Sequence, residues 1–306
     1  MNQKHLFIID HLENLNLKLD STVRMAFCLD KKGCDVYFSF PDELKWEKEA
    51  LSPVMAVYKC IFDSSPKDFN LSQPIFMNIE NFYGVYLRKD PPFDNNYLSL
   101  TWLLDSLPQV HNKPRALRQF NEKLSISFFP EFCDKWLVTQ KTEDIYDFCL
   151  KFCSGDAIVK PLHFHGGQGV FRLKLDDPQT QVIFERDKKQ QFYIVQPFNA
   201  DIFNGEIRAF TLAGIPIAWC LKKPAPNEFL ANTSKGATCH PYHPTEEIYE
   251  MAKKIASTLF SQGILFSGLD IIGNKISEIN ITSPRLLSLD PDDLSYYNQI
   301  AEYLIR

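Results

Sequence analysis

Two apolar runs late in the chain carry residue types that can hold a divalent cation. Gly268-Leu269-Asp270-Ile271-Ile272 and Ser277-Glu278-Ile279-Asn280-Ile281-Thr282-Ser283-Pro284 are joined by the turn Gly273-Asn274-Lys275. A hairpin would bring Asp270 and Glu278 to neighbouring strands. A strand also points Glu278 and Asn280, two apart, to the same face. Together they are hard oxygen ligands of the kind that hold magnesium and leave room for water and phosphate oxygens. The same spacing equally fits two solvent-facing carboxylates on an antiparallel hairpin.

The cations that could face a phosphate are spread more widely. Lys160 lies in the apolar run Ala157-Ile158-Val159-Lys160-Pro161, where an ammonium is costly unless it is paired. Lys123 follows Asn121-Glu122 near a helix start, a place where a solvated surface lysine is also common. In Glu206-Ile207-Arg208-Ala209-Phe210 the charged residues alternate with apolar ones, so Glu206 and Arg208 share a face and a cross-strand ion pair would satisfy them. The turn His163 to Gly169, with Gly166 and Gly167, can wrap backbone N–H groups around phosphates. It contains no Gly-x-x-x-x-Gly-Lys-Ser/Thr sequence, so it is not a P-loop. His163 and His165 have no third metal ligand near them in sequence and fit a structural or solvent-facing role as well as a metal pair.

These residues need a mixed scaffold. The segment 5–10 reads as a buried strand, its apolar core Leu6 to Ile9 far too short for a signal peptide or a membrane span. A helix over 21–32, ended by Gly33, and a strand over 35–40 complete a βαβ opening, and such units place ligands at the carboxyl ends of their strands. An apolar run from Gly84 enters Arg88-Lys89-Asp90-Pro91-Pro92-Phe93-Asp94, a charged loop stiffened by prolines. An amphipathic helix follows over 97–107. Strands over 157–161 and 171–173, joined by the glycine-bearing turn, read as a hairpin, and 191–197 as another strand. The alternation argues for an α/β architecture, and a first domain boundary falls close to Asn112.

Composition limits the function. The chain has 306 residues, 45% hydrophobic and 23% charged, enough for two or three packed domains. A net charge of −5 supplies no overall basic surface for nucleic acid, so acidic substrates must meet a few local cations. The eight cysteines form no Cys-x-x-Cys pair and have no zinc spacing. They read as reduced, buried thiols of a cytoplasmic protein.

Taken in order, these motifs resemble the ATP-grasp superfamily and, within it, the bacterial glutathione synthetases. The likeness runs through Ile9-Asp10, the motif 14–22 (Asn14-Leu15-Asn16-Leu17-Lys18-Leu19-Asp20-Ser21-Thr22), the 88–94 loop, Asn112-Lys113-Pro114, Asn121-Glu122-Lys123, Ile158-Val159-Lys160-Pro161-Leu162, Gly166-Gly167 and the late hairpin. The resemblance implies an ATP-grasp fold with an N-terminal, Rossmann-like α/β domain. It divides the chain into an N-terminal substrate-binding domain over 1–112, a central lid subdomain over 113–190, and a C-terminal subdomain over 191–306 carrying the metal site. By resemblance, Lys123 and Lys160 hold ATP phosphates. Gln196, Pro197, Phe198 and Asn199 form the hinge at the adenine edge, and Glu206 bonds the ribose. Asp270, Glu278 and Asn280 ligate two magnesium ions, with manganese as a substitute, and Arg208 sits near the reacting carboxylate and γ-phosphate. The implied reaction activates the carboxylate of γ-glutamylcysteine as an acyl phosphate, then joins it to glycine. A dimer or tetramer is implied, with small molecules as partners and neither nucleic acid nor membrane.

Departures fall on the expected cover. The stretch 222–236 looks shortened, with Lys223 and Lys235 where the family has arginines, and a lysine keeps the charge but loses the bidentate fork. Arg285 follows Ser283-Pro284 where the family has a threonine, and His163 replaces an aspartate. The segment 224–235 is therefore expected to be a moving lid with Lys223 and Lys235 as catalytic anchors, and to be where substrate choice differs. A related ligase with another acid or amine, and a non-catalytic ATP-binding scaffold, are the competing readings.

Overall fold

The computed structural model describes residues 2–17, 19–286, 290 and 292–306; Lys18, inside the 14–22 motif, lies outside them. The N-terminal elements are β1 (Lys4–Ile8), α1 (Ser21–Lys31), β2 (Asp35–Ser39), β3 (Leu44–Lys45), β4 (Val54–Phe62), β5 (Phe69–Leu71), β6 (Ile75–Asn78), β7 (Gly84–Leu87), α2 (Asn95–Leu103), β8 (Val110–His111) and α3 (Pro114–Gln119). The central ones are β9 (Leu137–Thr139), α4 (Thr142–Phe152), β10 (Asp156–Pro161), β11 (Phe171–Lys174), α5 (Pro178–Asp187) and β12 (Tyr193–Pro197). The C-terminal ones are β13 (Glu206–Leu212), β14 (Ile215–Lys223), β15 (Thr238–Pro241), α6 (Glu246–Ser261), β16 (Phe266–Ile272), β17 (Lys275–Asn280) and α7 (Ser295–Leu304).

Strand pairing sorts these elements into three sheets. The first runs β3-β4-β2-β1-β7-β8, with β5 and β6 also on β4. Its β2-β1-β7-β8 part is parallel, as the βαβ opening requires. β1 is apolar on both faces: Leu6 and Ile8 join one buried cluster with helices α2, α3 and α6, and Phe7 joins another with α1 and α7. A parallel strand covered on both sides needs such a continuous run. Asp20 caps α1 by accepting from the Thr22 and Val23 N–H groups at 2.8 and 2.9 Å. The helix expected over 97–107 instead begins at Asn95, where the Asp94 side chain accepts from Tyr97 N, and it ends at Leu103.

The second sheet, β11-β10-β12-β9, and the third, β15-β14-β13-β16-β17, are antiparallel and stand on either side of the candidate site. β12 pairs with β10, so the central sheet closes at Pro197 and the next begins at Glu206. This change lies beyond the boundary expected at 190, because that boundary would cut β12 from its partners. All eight cysteines are free, and seven of them are buried. Among the described residues, no helix is long and apolar enough to cross a membrane.

Candidate active site

A cavity of about 430 Å³ lies between the central and C-terminal sheets. Its floor is a charged row set by strand register. Glu278 on β17 pairs with Asp270 on β16, and Asp270 pairs with Arg208 on β13. Directly paired residues of an antiparallel sheet point to the same face, so the three side chains emerge side by side. Arg208 Nη1 donates to Asp270 Oδ2 at 2.8 Å, the cross-strand ion pair expected from the alternation around Arg208. Asn280, two residues beyond Glu278, turns to the same face, and its Nδ2 donates to Asp270 Oδ2 at 2.8 Å.

Glycine makes the row possible. A Cβ on Gly268 would lie 2.6 Å from Arg208 Cζ, so the guanidinium lies across the strand where no side chain stands. Gly166 and Gly167 have φ values of +62° and +74°, and a Cβ on Gly167 would sit 3.3 Å from Leu230 Cδ1 of the covering loop.

A second charged pair flanks the row. Lys222 on β14 is paired in register with Glu206, and its ammonium contacts the Glu206 carboxylate and donates to Asp270 Oδ1 at 2.8 Å. The side chains of Lys222 and Asp270 are only 11% and 8% exposed. Burial alone would raise the Asp270 carboxyl, but Arg208 and Lys222 beside it hold it well below the usual carboxylate range. Burial, reinforced by the Asp270 and Glu278 charges, pushes Glu206 up to about 7 against the pull of Lys222. Burial also disfavours the Lys222 ammonium, yet Asp270 and Glu206 more than compensate and keep it charged.

Lys123 and Lys160 reach the same cavity from other elements. Lys123 follows the Asn121 turn; its Nζ lies 3.2 Å from Glu278 Oε1 and donates to the Phe164 carbonyl. Lys160 on β10 donates to Ser277 Oγ at 3.2 Å, and burial shifts its ammonium downward. Between them Glu122 is half-buried, and its Oε1 accepts from Ile281 N, Thr282 N and Thr282 Oγ1 at 2.9, 3.1 and 2.9 Å. It fixes the chain just past Asn280. On the hinge, Phe198 N donates to Asp156 O at 3.0 Å and Asn199 Nδ2 to Ile272 O at 3.3 Å, tying the two sheets together.

Of the residues singled out from sequence, Lys123, Lys160, Gly166, Gly167, Gln196, Pro197, Phe198, Asn199, Glu206, Arg208, Asp270, Glu278 and Asn280 all line this cavity, as do Arg285 and His165. Lys223 and Lys235 do not. Alternation along β14 buries Ala218, Cys220 and Lys222 and leaves Lys223 exposed on the other face. Lys235 is exposed at the end of a short 3-10 turn. Of the two adjacent lysines, it is Lys222 that points into the cavity and Lys223 that does not. The apolar run before the two lysines, like the run around Lys160, was a signal for a buried ammonium but did not say which of the two it is. The loop does cover the cavity, but through Phe229 to Thr233. His163 is absent from the lining, so the two histidines form no pair there.

The donor set suits a hard cation. Among the described residues no three His, Cys, Asp or Glu side chains cluster as a metal site, and the candidates here are two carboxylates and an amide. Glu278 is 26% exposed toward the cavity, and Asn280, which donates through Nδ2, keeps Oδ1 as an acceptor.

Residues 3–118 match the family model for the prokaryotic glutathione synthetase N-terminal domain, and 122–288 that for the prokaryotic glutathione synthetase ATP-grasp domain. A glutathione synthetase of Vibrio cholerae is 35% identical over 288 residues, covering 92% of this chain and 89% of that one. One from Photorhabdus laumondii is 32% identical, covering 90% and 89%. Among solved structures, a D-cycloserine synthetase superposes with a TM-score of 0.68 at 11% identity, covering 98% of this chain and 99% of that one. The D-alanine-D-alanine ligase of Coxiella burnetii gives 0.58 at 13%, covering 98% and 91%. At those identities the solved structures speak to the fold alone, which is that of ATP-grasp ligases.

Proposed function

The chain belongs to the prokaryotic glutathione synthetase family, whose members are ATP-grasp ligases, and from that premise we propose that it joins γ-glutamylcysteine to glycine through an acyl phosphate. The observation that carries the reading is the convergence of Glu278, Asp270, Arg208, Lys123 and Lys160 on one cavity between two sheets. A carboxylate approaching a triphosphate is anion meeting anion, so catalysis is positioning and charge neutralisation.

In this reading the adenine lies at the 196–199 hinge, Glu206 meets the ribose, and Lys123, Lys160 and the Gly166-Gly167 turn hold phosphates. Asp270, Glu278 and Asn280 would hold magnesium, which supplies charge neutralisation and orientation of the phosphate oxygens when bound. The C-terminal carboxylate of γ-glutamylcysteine attacks the γ-phosphorus and ADP leaves. Arg208, pinned by Asp270, faces the charge that gathers on the transferred phosphoryl oxygens. The glycine nitrogen, as the free amine, then attacks the acyl carbon, the C–O bond to phosphate breaks, phosphate departs with the former carboxylate oxygen, and the proton leaving the nitrogen goes to the departing phosphate. An acyl phosphate is readily hydrolysed, and the 229–233 cover keeps water from it. Asp90 and Pro91 bring the N-terminal part of the chain to the cavity, on the side where the acid substrate would sit. The free thiols suit a reducing compartment, the cytoplasm.

The test is to supply ATP, magnesium, γ-glutamylcysteine and glycine and follow ADP and tripeptide together. Equal amounts of the two support the reading. ADP release only with another acid or amine would move the chain to the related-ligase alternative, and no ADP with any pair would point to the scaffold.

A further inference from the structure

Asp270 accepts three hydrogen bonds, and its remaining capacity can be counted. Two carboxylate oxygens offer about four lone-pair positions. Lys222 Nζ occupies one on Oδ1, while Arg208 Nη1 and Asn280 Nδ2 both use Oδ2. Little remains for bridging a pair of divalent ions. The cluster already holds at least as many cations as carboxylates. Glu206, Asp270 and Glu278 face Lys222, Arg208, Lys123 and Lys160.

Lys222 cannot easily leave this position. β14 is paired on both sides, with Lys222 opposite Glu206 on β13 and Cys239 on β15. The register therefore sends its side chain to the cavity face along with Cys220. Its stem is buried, and its ammonium ends between two carboxylates, where a small cation would otherwise balance them.

We propose that Lys222 is a built-in counter-cation standing in for one of the two divalent ions implied for this family, so that the chain binds nucleotide with a single divalent cation on Glu278, Asn280 and the remaining capacity of Asp270. The inference rests on the nucleotide and metal reading above. It differs from that reading in the number of ions and in what occupies the Glu206–Asp270 gap. Deleting the ammonium leaves two buried carboxylates without their shared partner, so a second divalent ion should then become bound there.

The experiment counts Mn2+ by electron paramagnetic resonance on the full chain, titrated with a non-hydrolysable ATP analogue. Wild type should take up one Mn2+ per chain, and Lys222→Met two. The second ion should bind at least about tenfold tighter in Lys222→Met than any second ion in wild type, about 1.4 kcal/mol. Without nucleotide, the melting temperature of Lys222→Met should rise with added Mg2+, whereas that of wild type should change little. Should Lys222→Met fail to fold, the wild-type count and Lys222→Arg, which keeps the charge and should also bind one ion, still decide. Two Mn2+ in wild type, or equal counts and affinities in wild type and Lys222→Met, overturn the inference and leave the site assignment standing. No Mn2+ uptake with the nucleotide analogue in wild type would instead overturn the reading on which it rests.

Discussion

The floor of the cavity and its cover were built from similar residue types, but they obey different rules. The floor is antiparallel sheet, where hydrogen-bonded register dictates which side chains share a face. Glu278, Asp270 and Arg208 stand in one row because their strands are paired at those residues. The cover is a loop between β14 and β15, where no period applies. Phe229 to Thr233 reach the cavity, and the lysines at either end of the loop do not.

The largest effect should come from removing the centre of the floor. Asp270→Asn takes one charge from a buried cluster held by Arg208 and Lys222. Breaking a buried pair from one side costs about 3–5 kcal/mol, so this variant should melt well below wild type and have no measurable ligation. Glu278→Gln is the gentler version, since Glu278 is partly exposed. It should fold normally and lose roughly 100-fold or more in turnover, the scale of removing one preorganised charge. Wild-type turnover in Glu278→Gln would remove the carboxylate from the site.

Gly268→Ala sharpens the same comparison, because it alters no charge. The added Cβ would meet Arg208 Cζ at 2.6 Å and displace the guanidinium. Turnover should fall about tenfold or more, the scale of one misplaced catalytic group, with nucleotide affinity nearly unchanged. Equal loss of affinity would place Arg208 on the nucleotide rather than on the reacting atoms.

These residues mark what was legible in the sequence. Alternation and turn chemistry were enough to place Asp270, Glu278 and Asn280 on one hairpin face and Arg208 beside Glu206. Lys160 was marked by its charge inside an apolar run. Family likeness supplied the hinge 196–199 and Lys123, which lies on an irregular turn that no periodicity describes. Lys222 escaped because parity alone does not say which of two adjacent lysines faces inward; the partners on β13 and β15 decide that. Glu122 gave no local signal, since its carboxylate is used by a segment about 160 residues later. The pairing of β12 with β10 gave no local signal for the same kind of reason.

Lys160→Met should act on binding. The ammonium is disfavoured by burial and donates to the Ser277 carbonyl and hydroxyl, both uncharged, so a phosphate is its natural counter-charge. ATP should bind about tenfold more weakly, the effect of losing about 1.4 kcal/mol, while stability without nucleotide stays similar or rises. Unchanged ATP affinity in a direct binding titration would make Lys160 a structural residue.

Glu206 offers a smaller, pH-dependent effect. Its carboxyl is pushed up from 4.5 to about 7, chiefly by burial. Between those values the folded chain keeps a proton that the unfolded chain releases, so this group's contribution is full below the lower value and is lost as pH rises through the upper one. Wild type should lose stability relative to Glu206→Gln as pH goes from about 5 to about 8, by about 1 kcal/mol or more. Parallel melting curves across that range would mean that Lys222 keeps Glu206 ionised throughout.

The smallest effect should be at Lys223 and Lys235, and it divides the cover from its ends. Both were expected to grip the acyl phosphate, but Lys223 occupies the outward face of β14 and Lys235 is exposed. An exposed lysine away from the cavity contributes little, so Lys223→Ala and Lys235→Ala should each leave turnover within about twofold of wild type. The cover itself is different. Leu230 packs against the Gly166-Gly167 turn, within 3.3 Å of where a Gly167 side chain would begin. Leu230→Ala opens that contact without touching a charge. Water should then reach the acyl phosphate, so that less tripeptide forms per ATP consumed even if ATP consumption continues. The measurement is the product-to-ADP ratio in all three variants. A ratio that falls in Lys223→Ala or Lys235→Ala and holds in Leu230→Ala would mean that the loop moves on substrate binding and brings its ends, not its middle, to the reacting atoms.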